Sequence, residues 1–90
     1  MKASRKYAYL QRDAQPVLRY AVRRECLIST DQAYNAVQLA FGYSKRVYRG
    51  EAFRNNVRWA LKKLRVKGEI RNPTKGDGTP IRGYYMTVWS

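Results

Sequence analysis

Apolar residues recur at helical spacing in three stretches of the chain and then give way to short, strand-like runs broken by turns. The clearest helical stretch spans residues 51–67. There Phe53, Val57, Ala60, Leu61 and Leu64 fall in one sector at about 100° per residue, the spacing of a buried stripe. Arg54, Arg58, Lys62 and Arg65 form a second stripe beside it, with Asn55 at its edge. Cationic and amide donors on one helical surface suit phosphates and base edges.

Two helices are expected upstream. In the first, over residues 13–26, Asp13 stands at the N-cap and Pro16 in the first turn, where its missing N–H costs little. Val17, Leu18, Ala21, Val22 and Cys26 make its apolar side, and Arg19, Arg23 and Arg24 its wet side. Leu27 and Ile28 read as a short apolar link. The second helix, residues 30–41, opens with Ser29 and Gln32 at capping-box spacing and closes at Gly42, a residue that tolerates the left-handed conformation. Residues 43–50 (YSKRVYRG) read as a basic connector into the third helix.

After Gly68 the pattern changes. Residues 69–72 read as a strand, 74–80 (TKGDGTP) as an exposed hairpin tip carrying Lys75, and 84–89 as the returning strand. Residues 1–12 are a basic, tyrosine-bearing arm whose conformation the pattern leaves open. Three helices followed by a C-terminal hairpin over 69–89 is the order of an α+β winged helix-turn-helix, here as a single domain.

Composition sharpens this picture. Nineteen Lys and Arg against six Asp and Glu give a net charge of +13, far more than solubility requires, and point to a polyanionic partner. A hydrophobic share of 44% and an aromatic share of 13% separate the chain from a disordered basic tail. No apolar run approaches the roughly 18 residues that span a bilayer, and no signal-peptide core opens the chain, so a cytoplasmic protein with no membrane partner is expected. The single cysteine, Cys26, reads as a core residue. Without histidine there is no plausible zinc set, and the six acids are scattered over helix starts, exits and turns, so neither a metal, a cofactor nor catalysis is expected.

The run VRWALKKLRVKGEI from Val57, followed by RGYYMT from Arg82 to Thr87, resembles the end of the Mrr-type N-terminal winged-helix domain. In that family a helix with a Trp-Ala-Leu core and a Leu-x-x-x-Gly-x-Ile exit precedes an Arg-Gly-aromatic returning strand. The matching residues are Trp59, Ala60, Leu61, Leu64, Gly68, Ile70, Arg82, Gly83 and Tyr85. The resemblance covers the chain from the third helix onward and the earlier part only in helix order. The turn between the strands is longer than the family's, and no endonuclease domain follows in these 90 residues. The resemblance therefore implies DNA binding and not cleavage.

These readings converge on a small winged-helix protein that binds double-stranded DNA, in a regulatory or targeting role of a bacterial or phage-like system. Arg54, Asn55 and Arg58 are the candidates for base edges in the major groove. Lys45, Arg46, Lys62, Arg65, Lys75 and Arg82 are the candidates for phosphates. Two alternatives stand beside this one: an inhibitor or adaptor whose basic face meets an acidic protein surface, and an RNA-binding protein using Tyr43, Tyr48 and Tyr84 for stacking. The pattern says nothing of oligomeric state.

Overall fold

Phe53, Val57, Ala60, Leu61 and Leu64, the stripe expected on the third helix, are all fully buried. The helix that carries them runs Glu51–Val66 and starts from Gly50 in extended conformation. The structure, a computed structural model, describes residues 6–88. Its elements are α1 (Leu10–Asp13), α2 (Gln15–Glu25), β1 (Leu27–Ser29), α3 (Thr30–Phe41), α4 (Lys45–Tyr48), α5 (Glu51–Val66), β2 (Ile70–Arg71) and β3 (Tyr84–Thr87).

Helix α5 forms one wall of the core. Leu10 of α1, Leu18 and Val22 of α2, Val37 of α3 and Ile28 of β1 close over it, none more than 1% exposed. Burial of such side chains contributes about 1.5–3 kcal/mol each before the entropy of ordering is subtracted. The expected capping box is formed: Ser29 Oγ accepts the Gln32 N–H at 3.1 Å while Gln32 Oε1 accepts the Ser29 N–H at 2.8 Å. At the other end of α3, Gly42 takes φ +70° and stops the helix.

The start of the domain differs from expectation. Helical structure begins at Leu10, and Asp13 is the last residue of α1 rather than the N-cap of the next helix; its carboxylate pairs with Arg12 at 3.0 Å. The break falls at Ala14, two residues before Pro16, which has no N–H to give to the Arg12 carbonyl four residues back. The basic arm expected over residues 1–12 is accordingly packed structure from Tyr7 on, with Tyr7 edge-on to Tyr43 at 5.5 Å between centroids and Leu10 in the core. Residues 1–5 lie outside the described part.

Cys26 is exposed, not a core residue. It closes α2 at φ +67° and gives its N–H to the Val22 carbonyl at 2.7 Å. That turn breaks the helical phase, so a position four residues after buried Val22 no longer points inward. The link Leu27–Ile28 is also a strand. β1 pairs antiparallel with β3 through Leu27↔Met86, Ile28↔Tyr85 and Ser29↔Tyr84, and β2 pairs with the other edge of β3 through Ile70↔Thr87 and Arg71↔Met86. The expected hairpin is thus part of a three-stranded antiparallel sheet in the order β1-β3-β2. β3 ends at Thr87, and the expected strand residue Trp89 lies outside the described part. The connector 43–50 holds the short helix α4, with the Ser44 hydroxyl accepting the Val47 N–H at 3.4 Å.

Candidate nucleic-acid interface

At about 100° per residue, Asn55 and Lys62 stand on the arc of α5 opposite the buried stripe, with Arg58 and Arg65 beside them. Lys62 and Arg65 are exposed, and Asn55 and Arg58 are half-buried. Arg58 donates through Nη2 to Asn55 Oδ1, and the same nitrogen lies 3.7 Å from a carboxylate oxygen of Glu51. The Lys62 ammonium rests 4.7 Å from the centre of the Trp59 ring, a cation–π contact that keeps it along the helix surface. Arg58 Nε and Trp59 Nε1 are buried without a hydrogen-bond partner.

Arg54 has a different situation from the rest of its stripe. Its guanidinium lies over the rings of Tyr34 and Tyr48, at 5.4 and 5.5 Å from their centres, and its Nε donates to the Tyr48 carbonyl at 3.1 Å. Phe53 sits within 6.4 Å of both rings. Arg54 thereby ties α5 to α3 and to α4. Arg54, a candidate for base edges by sequence, has its Nε and the faces of its guanidinium engaged inside the domain. Periodicity alone placed it with Arg58; the tyrosines that capture it come from sequence positions with no visible relation to it.

The phosphate candidates occupy three places. Lys45 and Arg46 are exposed on α4, immediately before α5. Lys62 and Arg65 are on α5 itself. Lys75 and Arg82 are exposed on the hairpin that follows β2. Asn72, which sequence reasoning did not single out, links the last two groups: Arg65 Nη1 donates to Asn72 Oδ1 at 3.0 Å, and Asn72 Nδ2 donates to the Tyr84 carbonyl at 2.9 Å. The hairpin stays paired beyond β2. Ile81 N–H meets the Pro73 carbonyl at 2.8 Å and Lys75 N–H meets the Thr79 carbonyl at 2.8 Å. At the tip Asp77 accepts the Thr79 N–H at 2.9 Å, which holds its carboxyl below the ordinary value.

Five of the six acids are engaged with their own chain by ion pairs or that turn bond: Asp13 with Arg12, Glu25 with Arg24, Glu51 with Arg58, Glu69 with Arg19, and Asp77 at the tip. The sixth, Asp31, stands in the first turn of α3, where the helix dipole favours a negative charge. An open groove of about 490 Å³ lies between α2 and α3, lined by Tyr20, Ala21, Ala36 and Leu39 among others and by no residue of α5. Burial pushes the Tyr34 phenol above its ordinary value, with the nearby Arg58 and Arg54 charges pulling it down by less.

No family model, curated protein or solved structure matches this chain. Among the described residues, no helix is long and apolar enough to cross a membrane.

Proposed function

We propose that this chain is a winged helix-turn-helix domain of the Mrr-type kind that binds double-stranded DNA, with α5 as the recognition helix and the β2–β3 hairpin as the wing. The observation that carries this reading is the outward arc of α5, where Asn55, Arg58, Lys62 and Arg65 share one surface and the only acid, Glu51, is paired with Arg58. The order of α2, α3 and α5 before the hairpin supports the fold part of the reading, as does the return of β3 between β1 and β2. Arg58 faces base edges with Asn55 beside it, and Lys45, Arg46, Lys62, Arg65, Lys75 and Arg82 neutralise phosphates. The role is regulatory or targeting and the place of action is the cytoplasm, on the nucleoid in a bacterium.

Duplex binding as a function of salt tests this. About six phosphate contacts give a log–log slope near −5, so affinity should fall on the order of a thousandfold between 50 and 200 mM salt. A slope shallower than about −2 would exclude a phosphate-dominated interface and leave the acidic-protein partner as the better explanation of the basic face.

A further inference from the structure

Four aromatic rings close a cycle where the start of the chain meets the end of α3. Gly42 stops that helix at φ +70°, and the turn lays Phe41 and Tyr43 nearly parallel, their planes 22° apart and their centroids at 5.7 Å. Tyr43 is held by Gln38, whose carbonyl accepts its N–H at 3.0 Å and whose side-chain amide donates to its carbonyl at 3.2 Å. Its ring stands edge-on to the fully buried Phe53 at 5.9 Å, which roots the cluster in the core. Tyr7 meets Tyr43 at 5.5 Å, and Tyr9 meets Tyr7 and Phe41, both at 6.5 Å. Tyr9 is the outermost of the four. It is 47% exposed where the others are half-buried, and these two ring partners are tilted to it by 58° and 47° rather than stacked on it.

The surroundings are cationic. The Lys6 ammonium lies 5.5 Å from the centre of the Tyr7 ring, and the exposed Lys45 and Arg46 open α4 directly after its cap Ser44, the residue that follows Tyr43. The acid nearest to Tyr9 in sequence, Asp13, is paired with Arg12. Single-stranded nucleic acid is bound by this combination: aromatic rings stack unpaired bases whatever their identity, and cations beside them take the phosphates. In a duplex the base faces are covered by their neighbours. We infer that Tyr9, backed by Tyr7 and Phe41, is a stacking site for an unpaired base of single-stranded DNA or RNA. Rings already fixed by the core lose little side-chain freedom when a base docks. The site goes beyond the duplex reading and shares no residue with the arc of Asn55, Arg58, Lys62 and Arg65, so the two stand or fall separately.

Binding of a short oligothymidylate, of an abasic strand with the same number of phosphates and of a blunt duplex tests this, with the wild type, Tyr9→Leu and Tyr9→Trp. Tyr9→Leu keeps an apolar side chain against Phe41 and removes the planar face. The wild type should bind oligothymidylate about 5- to 100-fold more tightly than the abasic strand. Tyr9→Leu should bring oligothymidylate down to the abasic level and leave the abasic strand and the blunt duplex unchanged, and Tyr9→Trp should keep the difference. Oligouridylate run alongside separates the two sources, the tighter strand naming the natural one. Equal affinity of the wild type for base-bearing and abasic strands overturns the inference, because phosphates alone then explain retention. A difference that survives Tyr9→Leu, or a Tyr9→Leu variant that loses duplex and single strand alike, overturns it too. A wild type that binds no blunt duplex while the difference between the strands holds supports this site and overturns the duplex reading.

Discussion

Asn56 Oδ1 accepts a hydrogen bond from Gln11 Nε2 at 2.8 Å, so an amide buried in the middle of the apolar wall of α5 fastens the start of the chain across it. Asn56 Nδ2 donates to the carbonyls of Lys6 and Ala52, both at 2.8 Å. Gln11 is tied in turn to Gln15, also buried, whose amide donates to the Gln11 carbonyl at 2.7 Å and accepts from the Lys67 ammonium at 2.7 Å. Residues 6–15 are thus attached by amides as well as by Leu10.

Removing Asn56 should therefore unfasten that segment. Asn56→Ala is expected to cost about 1–3 kcal/mol, because the amide of Gln11 and the Lys6 carbonyl lose a buried partner. Gln11→Ala, on a half-buried side chain, should cost less, near 1 kcal/mol. Urea unfolding of the two variants checks this. A change below about 0.5 kcal/mol for Asn56→Ala would mean that Leu10 alone holds the segment.

What was legible in the sequence was what depends on neighbours in the chain. The stripe of α5, the capping box at Ser29 and Gln32 and the stop at Gly42 are set by spacings of three to eleven residues, and all are found where the pattern put them. The features that were not legible depend on distant partners. Leu27–Ser29 is too short to show alternation and becomes a strand only because β3, nearly sixty residues later, offers an edge. Arg54 shares the period of Arg58 but meets the rings of Tyr34 and Tyr48. Asn56 follows Asn55 in a pair that reads as polar, yet one is the centre of a buried network and the other faces out.

Cys26 allows a test of backbone strain. A side chain at φ +67° is disfavoured by contact between Cβ and the backbone, by about 1–2 kcal/mol, and glycine relieves it at the expense of a more flexible unfolded chain. The side chain is exposed and no packing is lost. Cys26→Gly should raise stability by up to about 1 kcal/mol. A lower unfolding midpoint in urea would mean that the thiol contributes more than its exposure indicates.

Tyr34 gives a pH dependence with a definite sign. Its phenol is raised above the ordinary value of 10.0 by burial, so the folded state keeps a proton that the unfolded state begins to lose near pH 10. The folded form then binds more protons than the unfolded, and stability falls as pH rises through that range. Below it the contribution is fully present. Tyr34→Phe should flatten the loss between about pH 9.5 and 11 relative to the wild type. Parallel curves for the two proteins in thermal unfolding would show that another group sets the alkaline limit.

The wing is expected to separate from folding. Asn72 holds it to Arg65 on one side and to Tyr84 on the other, while residues 74–79 project beyond any buried side chain. Replacing 74–79 by a tight turn should leave the unfolding transition in place and remove Lys75, which weakens duplex binding and makes the salt slope shallower by about 1. Unchanged affinity with an unchanged slope would take the tip out of the contact surface. Asn72→Ala should act on both sides of the link, weakening binding through the orientation of the wing without removing any charge.

Arg54 and Lys62 belong to one cationic stripe by spacing, and the structure gives them different surroundings. Arg54 lies over two rings and donates to the Tyr48 carbonyl; Lys62 is exposed and lies against the face of Trp59. Arg54→Ala should therefore destabilise the fold by about 1–3 kcal/mol, the sum expected for a cation–π contact and a charge-assisted hydrogen bond to a half-buried carbonyl. Arg54→Lys should not restore this, because an ammonium lacks the planar face and the Nε donor. Lys62→Ala should leave stability within about 0.5 kcal/mol, as an exposed substitution does. Its effect should appear in duplex binding as a uniform weakening across sequences and a salt slope shallower by about 1. Trp59 reports on both variants in a Trp89→Phe background: its emission should change with Lys62→Ala in the folded protein, and with Arg54→Ala only at lower denaturant concentration as the fold opens earlier. If Arg54→Ala instead binds DNA poorly while unfolding at the wild-type midpoint, its guanidinium leaves the tyrosines to meet DNA, and the division of the stripe proposed here is wrong.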